Sequence, residues 1–322
     1  MRRVALGFAI AVCAAGVATV NGQGGGNPFI DHSDTGETVH ILPAPASLHS
    51  PHATNPTDAP SHQGLAVYPA SYGSGNLVNH GGHQIPNAGF FAIYYNNGVA
   101  SSPGSQGYGT LRSEVAAFAQ MFSDGVSYAQ NDPSADYTIV QQYGASDAIS
   151  PVLLWAGDFV DSKPTQFSIS DSKVHSYLAG LFNAGRVLAN SDTIYGVYFP
   201  SGMRISMQGG SSCSSFCGYH GHFAYNGLDI KYAVFPYLNC RGCSLPGKAV
   251  ADMMTIVSSH EIRESVTDPD LDAWYDASGY EADDKCAWSN LYQVSRGGFW
   301  VQPEYSNGGG SYPGPGCIVP NQ

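Results

Sequence analysis

Apolar and polar positions along the chain follow two different periods after residue 63. The apolar run GFFAIYYNNG at 89–98 ends in a turn and predicts a buried strand, and TIYGVYFPSG at 193–202 and IKYAVFPYL at 230–238 predict further strands. Helical spacing of apolar residues predicts helices over 110–130 and 170–190. These elements indicate an α/β fold in which a mixed β-sheet is covered by helices.

A third helix is predicted over PGKAVADMMTIVSSHEIRESVTDPD, residues 246–270, where Pro246 lies near the start and a long apolar face follows. Because Pro269 disfavours helical geometry in the residue before it, this helix should end at about Thr267. The helix is also the place where the chain, which is poor in charge elsewhere, concentrates its ionisable residues.

The second half of that helix carries a His-Glu-x-x-Glu pattern, in which Glu264 stands where zinc peptidases of the His-Glu-x-x-His type have a second histidine. His260 and Glu264 lie one turn apart on the same face, so both can hold one ion. In metallohydrolases with such a zincin-like helix, the glutamate beside the first ligand, here Glu261, takes a proton from metal-bound water. We expect Zn²⁺, with Ca²⁺ or Mn²⁺ as alternatives because the second ligand is a carboxylate.

Downstream, the segment WYDASGYEADDKCAW at 274–288 offers a third ligand. Glu281 or Asp284 could return to the ion across a loop, and a disulfide at Cys286 could stabilise that loop. The alternative interpretation is that residues 261–284 form an acidic, solvated surface.

Upstream, the cysteine-flanked segment CGYHGHF at 217–223 supplies His220 and His222. Either histidine could be a metal ligand or a donor that stabilises the transition state.

Composition and charge point to an exported protein. Only 12% of the 322 residues are charged, and a net charge of −12 without a Lys/Arg cluster excludes nucleic acid as an expected partner. Residues 1–22 place two arginines before an apolar run and are predicted to be a signal peptide. A membrane anchor is the alternative, but the apolar run is at the short limit for spanning, so we expect no membrane association after cleavage.

Residues 23–63 are rich in Gly, Pro, Ser, Asn and His and show no sustained apolar period, which predicts a disordered linker or propeptide. Its histidines are irregularly spaced and predict at most weak metal binding; they are His32, His40, His49, His52 and His62. Residues 64–322 are expected to form one globular domain and a monomer.

Six cysteines follow the predicted signal peptide, an even number that favours disulfides in an exported protein. Their close spacings predict the pairs Cys213–Cys217, Cys240–Cys243 and Cys286–Cys317. A zinc site made of the first four thiolates is the alternative.

The order of four segments resembles the phosphate-induced protein 1 family, which includes the plant EXORDIUM proteins and bacterial and fungal relatives. These segments are SSCSSFCGYHGHF, LNCRGCSLP, VSSHEIRESVTDPDLDAWYD and YEADDKCAW. The resemblance covers roughly residues 85–322 and is strongest over 213–288. The positions that match the family pattern are Cys213, Cys217, His220, Cys240, Cys243, His260, Glu261, Glu264, Pro269, Trp274, Tyr275, Glu281, Asp284 and Cys286.

This resemblance implies an extracellular or cell-wall protein and implies no particular biochemical activity. Arg263 departs from the small residue that the family pattern has between the two glutamates, and its charge could compete with a metal ion.

Two hypotheses about function follow from the sequence. In the first, the protein is a secreted zinc metallopeptidase that acts on a peptide or protein substrate. His260, Glu264 and either Glu281 or Asp284 then bind the ion, and Glu261 and His220 are catalytic. In the second, it is a non-catalytic extracellular protein whose acidic site is structural or binds calcium.

Overall fold

The computed structural model describes residues 26–48, 65–123, 125, 136–145 and 148–320. The helices of these ranges are α1 (Asn97–Ala100), α2 (Leu111–Met121), α3 (Asp171–Asn183) and α4 (Val250–Thr267). Short 3-10 helices lie at Pro45–Ser47, Thr138–Tyr143 and Asp284–Cys286. The strands are β1 (Ile30–His32), β2 (Thr38–Pro43), β3 (Leu65–Tyr68), β4 (Val78–Asn79), β5 (Gly89–Tyr94), β6 (Leu154–Val160), β7 (Ser168–Ser170), β8 (Thr193–Tyr198), β9 (Arg204–Ser206), β10 (Phe216–Tyr225), β11 (Leu228–Phe235), β12 (Trp274–Tyr275), β13 (Tyr292–Gln293), β14 (Trp300–Val301), β15 (Glu304–Ser306) and β16 (Gly316–Pro320).

A seven-stranded mixed sheet forms the centre of the fold, in the order β1-β2-β10-β11-β8-β5-β6. Strands β11, β8, β5 and β6 run parallel to one another, whereas β1, β2, β10 and β11 pair antiparallel. The predicted α/β fold with a helix-covered mixed sheet is therefore confirmed. The three predicted strands correspond to β5, β8 and β11, and the three predicted helices contain α2, α3 and α4.

Both faces of this sheet are covered, because alternate residues of each strand point to opposite sides. On β5, Phe90 and Tyr94 pack in the hydrophobic core that contains α2 and α4. Ile93 and Tyr95 pack in a second core with Val174 of α3. The central strands are therefore apolar on both faces, which explains why their sequences read as nearly continuous apolar runs.

Helix α4 is the most deeply buried helix of the described residues, with every position after Val250 buried. It begins where the Asp252 carboxylate accepts a 2.8 Å hydrogen bond from the Ala249 N–H, and it ends just before Asp268 and Pro269. The predicted end at Thr267 is confirmed.

Close packing of α4 on β10 depends on Gly218. A Cβ at this position would lie 2.4 Å from Cγ1 of Val257 and 2.9 Å from Oε1 of Glu261. Only a glycine therefore lets the strand come near enough to α4 for the polar face of the helix to meet the side chains of β10.

The predicted linker is wrong over residues 26–48, since this segment contributes β1 and β2 to the central sheet. Five of the six residues of β2 are buried, and its register with β10 pairs His40 with His220. A short apolar stretch, VHILP, was hidden in the polar composition of its surroundings. The predicted linker residues 23–25 and 49–63 lie outside the described ranges.

The predicted signal peptide, residues 1–22, also lies outside the described part of the chain. Within that part, no helix has both the length and the apolar character that crossing a membrane requires.

Three disulfides join the cysteines of the described ranges, but two of the predicted pairings are wrong. The bonds join Cys213 to Cys240 and Cys217 to Cys243, with Cα–Cα distances of 5.7 Å and 5.6 Å. They connect the entry of β10 to the loop after β11, because these two turns lie side by side. These bonds also exclude the zinc site made of four thiolates. The third predicted pair, Cys286–Cys317, is confirmed.

Candidate metal centre

Four parts of the chain bring three histidines and four carboxylates together between α4 and the central sheet. Strand β2 contributes one histidine, β10 another, α4 three residues and the loop after β12 two. We call this set the His–carboxylate cluster: His40, His220, His260, Glu261, Glu264, Glu281 and Asp284. His40 is 5% exposed and the other six are 0% exposed.

On the helix side, Nε2 of His260 lies 2.9 Å from Oε2 of Glu264 and 3.7 Å from Oδ1 of Asp284. The other oxygen of each carboxylate is held by the backbone. Oε1 of Glu264 accepts from the N–H groups of Asp283 and Asp284 at 3.1 Å and 3.0 Å, and Oδ2 of Asp284 accepts from the Glu281 N–H at 2.9 Å. Each carboxylate therefore presents its other oxygen, in a fixed position, to His260 and the interior of the cluster.

On the sheet side, Nδ1 of His220 lies 3.2 Å from Oε2 of Glu261, and its Nε2 lies 3.7 Å from Oε2 of Glu281. That same Glu281 oxygen is 2.5 Å from Nδ1 of His40. The strand register accounts for this arrangement, because neighbouring residues of β2 and β10 place the two histidines side by side, with ring centres 5.8 Å apart.

Many polar atoms of the cluster have no aligned hydrogen-bond partner among the described residues. These atoms are Nδ1 of His40, Nε2 of His220 and His260, Oε1 of Glu261, Oε2 of Glu264, both carboxylate oxygens of Glu281 and Oδ1 of Asp284. Buried polar atoms without partners are rare because each costs about 1–3 kcal/mol. These atoms converge on one place, which is the arrangement expected of the ligands of a shared ion, although Nε2 of His260 also lies 2.9 Å from Oε2 of Glu264.

A divalent cation fits as that partner. Ligands at about 2.0–2.1 Å from a tetrahedral or octahedral ion lie about 3–3.4 Å from one another. The separations of 2.9 Å and 3.7 Å between His260 and its two carboxylate neighbours are close to that range. Imidazole nitrogens mixed with carboxylate oxygens suit zinc or manganese, whereas calcium takes oxygen ligands. The donor set therefore favours Zn²⁺ or Mn²⁺ over Ca²⁺.

Burial and mutual repulsion dominate the electrostatics of the cluster. Burial raises the pKa of Glu261, Glu281 and Asp284 well above their usual values, and the nearby Glu264 carboxylate raises each further. Burial also opposes the charge of Glu264, but the adjacent His260 prevails and lowers its pKa to about 2. A cation of charge +2 would offset the negative charge that the histidines leave uncompensated.

Gln302 fixes the ring of His260 from the side opposite Glu264. Its amide nitrogen lies 2.9 Å from Nδ1 of His260 and donates at 2.7 Å to the Asp283 carbonyl. Binding an ion through Nε2 requires the proton on Nδ1, and that proton needs an acceptor. If the Gln302 amide is turned by 180°, its oxygen can accept the Nδ1 proton of His260, but the Asp283 carbonyl then loses its donor. The orientation of the Gln302 amide and the tautomer of His260 therefore depend on each other.

Arg263 does not compete with a cation, contrary to the concern raised by its sequence position. Its guanidinium points away from the cluster, donates two hydrogen bonds to Asp283 and further bonds to the carbonyls of Asp136 and Gln302, and lies 3.7 Å from Glu304. It thereby neutralises acidic groups behind the loop that carries Asp284.

The structure brings together all six residues that the sequence proposed for the site: His220, His260, Glu261, Glu264, Glu281 and Asp284. Because their carboxylates are fully buried, the alternative of an acidic solvated surface is wrong. His222 is not part of the cluster and pairs instead with Asp229 at 3.0 Å.

Sequence reasoning missed His40 and Gln302 as members of the site. The only sequence signal for His40 was its position inside the short apolar run of β2.

A cavity of about 840 Å³ reaches the cluster at one point. Its wall combines apolar residues, including Ile30 and Tyr275, with the acidic residues Asp229 and Asp270. Among the seven described members of the cluster, His40 alone lines this cavity. Any molecule that approaches the cluster through it meets the His40 ring first.

The chain matches no known protein-family model, and no curated protein and no solved structure is significantly similar to it.

Proposed function

We propose that this protein is a secreted metal-dependent hydrolase of the zinc-peptidase type, and a relative of the phosphate-induced protein 1 family. One observation carries the proposal: partnerless ligand atoms converge on the polar face of a buried His-Glu-x-x-Glu helix. Three disulfides support export to an oxidising compartment. The expected substrate is a peptide or protein that enters by the cavity at His40.

In this proposal His260, Glu264 and Asp284 hold the ion, with Glu281 as a further carboxylate ligand. The bound ion supplies Lewis-acid chemistry, lowering the pKa of water and polarising a carbonyl group. Glu261 is the general base, because its Oε1 is free to receive a proton while its Oε2 is positioned by His220. His220, between Glu261 and Glu281, is placed to pass that proton on.

Complete burial favours a second candidate function, a structural cation in a non-catalytic extracellular protein. Structural metal sites are closed by protein ligands, whereas catalytic sites keep one position open. Six members of the cluster are 0% exposed, as expected for a closed site. The two functions share the ion and differ in whether Glu261 does chemistry.

A paired assay separates the two functions. Metal content and cleavage of a broad peptide library are measured for the wild type, Glu261→Gln and Glu264→Ala. As a hydrolase, Glu261→Gln should keep the ion and fold but lose at least about 100-fold in turnover, because an amide cannot accept the proton of water. Glu264→Ala should lose ion, thermal stability and activity together.

The matched control is Glu114→Gln, a buried glutamate that binds Ser105 rather than the cluster, and it should change neither ion content nor cleavage. If the wild type holds an ion but cleaves no peptide, the hydrolase function is wrong and the structural-cation function stands. If the wild type holds no ion, both proposed functions are wrong.

A further inference from the structure

We propose that His40 is itself a ligand of the cation, supplied by the N-terminal strand β2, and that it is the ligand which a small molecule in the cavity can replace. This inference rests on the proposed metal site, but it does not require that the site be catalytic.

The contact between His40 and Glu281 indicates a shared partner. Nδ1 of His40 lies 2.5 Å from Oε2 of Glu281, yet neither atom has an aligned hydrogen-bond partner. Two ligands of one ion lie about 3–3.4 Å apart, so binding the same cation would move the His40 ring and the Glu281 carboxylate apart by about 0.5 Å. The ligand atoms of His40, Glu281 and Asp284 all lie within 4.8 Å of one another, so small shifts would bring all three to one ion.

The strand register makes His40 a fixed part of the site. Antiparallel pairing sets His40 of β2 beside His220 of β10, and both flanking residues, Val39 and Ile41, are buried in the second hydrophobic core. A change of register by one residue would turn His40 to the other face of the sheet. The packing that anchors β2 therefore also holds Nδ1 towards Glu281.

Access distinguishes His40 from the other two histidines of the cluster. His220 and His260 are 0% exposed, whereas the His40 ring lines the 840 Å³ cavity. Removing the His40 side chain should therefore open the cavity directly onto the ion. Imidazole has the size and the lone pair of the missing ring, so it can enter that space and restore the lost bond.

The experiment uses the full chain loaded with Co²⁺, whose visible spectrum reports the number and type of ligands. Dissociation constants for Co²⁺ and Zn²⁺ are measured by chelator competition for the wild type, His40→Gly, His260→Gly and His222→Gly, with and without imidazole. We expect His40→Gly to weaken binding at least about tenfold and to lose spectral intensity, and imidazole to reverse both. His260→Gly should weaken binding without such recovery, since its site has no opening.

His222→Gly is the matched control, because His222 lines the same cavity but pairs with Asp229. It should bind both ions as the wild type does. If His40→Gly does not fold, His40→Gln fills the space instead, and its Co²⁺ spectrum must still differ from that of the wild type.

Wild-type affinity and spectrum in His40→Gly or His40→Gln would overturn the assignment of His40 as a ligand. Weakened binding that imidazole does not restore would overturn its replacement through the cavity. A wild type that binds no ion would instead remove the proposed metal site, and a wild type that binds ions but hydrolyses nothing would leave the role of His40 intact.

Discussion

Replacing Arg263 by methionine is expected to destabilise the protein far more than the same change at Arg112. Both arginines make two hydrogen bonds to one aspartate, Arg263 to Asp283 and Arg112 to Asp158. The difference is solvent, because the Arg263 pair is completely buried whereas the Arg112 side chain is 52% exposed. The two positions therefore form a matched comparison of buried and exposed ion pairs.

The magnitude follows from what each substitution leaves behind. Without its guanidinium, the buried Asp283 and Glu304 lose the cation that lies beside them, and breaking such a pair typically costs about 3–5 kcal/mol. Two carbonyl acceptors, on Asp136 and Gln302, lose a donor as well. An exposed pair contributes only about 0–1 kcal/mol. Since a domain is stable by about 5–15 kcal/mol, Arg263→Met should bring the protein near its stability limit.

Urea unfolding at equilibrium measures both variants under one condition, with the slope checked for constancy. Adding Asp283→Asn to Arg263→Met should recover part of the loss, because it removes one uncompensated carboxylate. Similar stability losses for Arg263→Met and Arg112→Met would show that the buried guanidinium is not the counter-charge that the structure assigns to it.

Two further predictions concern the packing of α4 and the ion. Gly218→Ala should cost about 1–3 kcal/mol in urea unfolding, because its Cβ would lie 2.4 Å from Val257, whereas Gly221→Ala, with no contact under 3.2 Å, should cost less than about 1 kcal/mol. Equal costs would contradict the close approach of α4 and β10. The reference state is the protein at a free ion concentration one hundred times the dissociation constant of the ion. Removing the ion with a chelator should lower the free energy of unfolding by about 2.7 kcal/mol from that reference. Unchanged unfolding after verified loss of the ion would contradict binding in the buried cluster.

The helix of the site could be predicted from sequence because its determinants are local. Apolar periodicity, the His-Glu-x-x-Glu spacing and Pro269 together specify which side chains share a face and where α4 ends. The predicted return of Glu281 and Asp284 also needed little more than a short loop and a cysteine that holds it.

The missed features depend on which distant segments lie side by side. His40 reaches the cluster only because β2 pairs with β10, a contact between positions about 180 residues apart, and composition alone suggested disorder there. The crossed disulfides have the same origin. Gly242 passes so close to Cys213 that a Cβ would lie 2.2 Å from its carbonyl oxygen, a proximity that the spacing of cysteines along the chain does not encode.

Burial of the cluster would make the fold and binding of the proposed cation depend on each other. Burial raises the pKa of three of the four carboxylates, those of Glu261, Glu281 and Asp284, and so resists their ionisation. A bound cation would favour the anions, and Arg263 is engaged elsewhere. The enclosure is completed by β2, which in the sheet pairs only with β1 and β10 and carries the histidine on the cavity side. In the proposed metal site, docking of β2 and retention of an ion would therefore be two aspects of one equilibrium. A substrate that displaced His40 would have to act against that docking, which is why a catalytic role demands movement at β2 and a structural role does not.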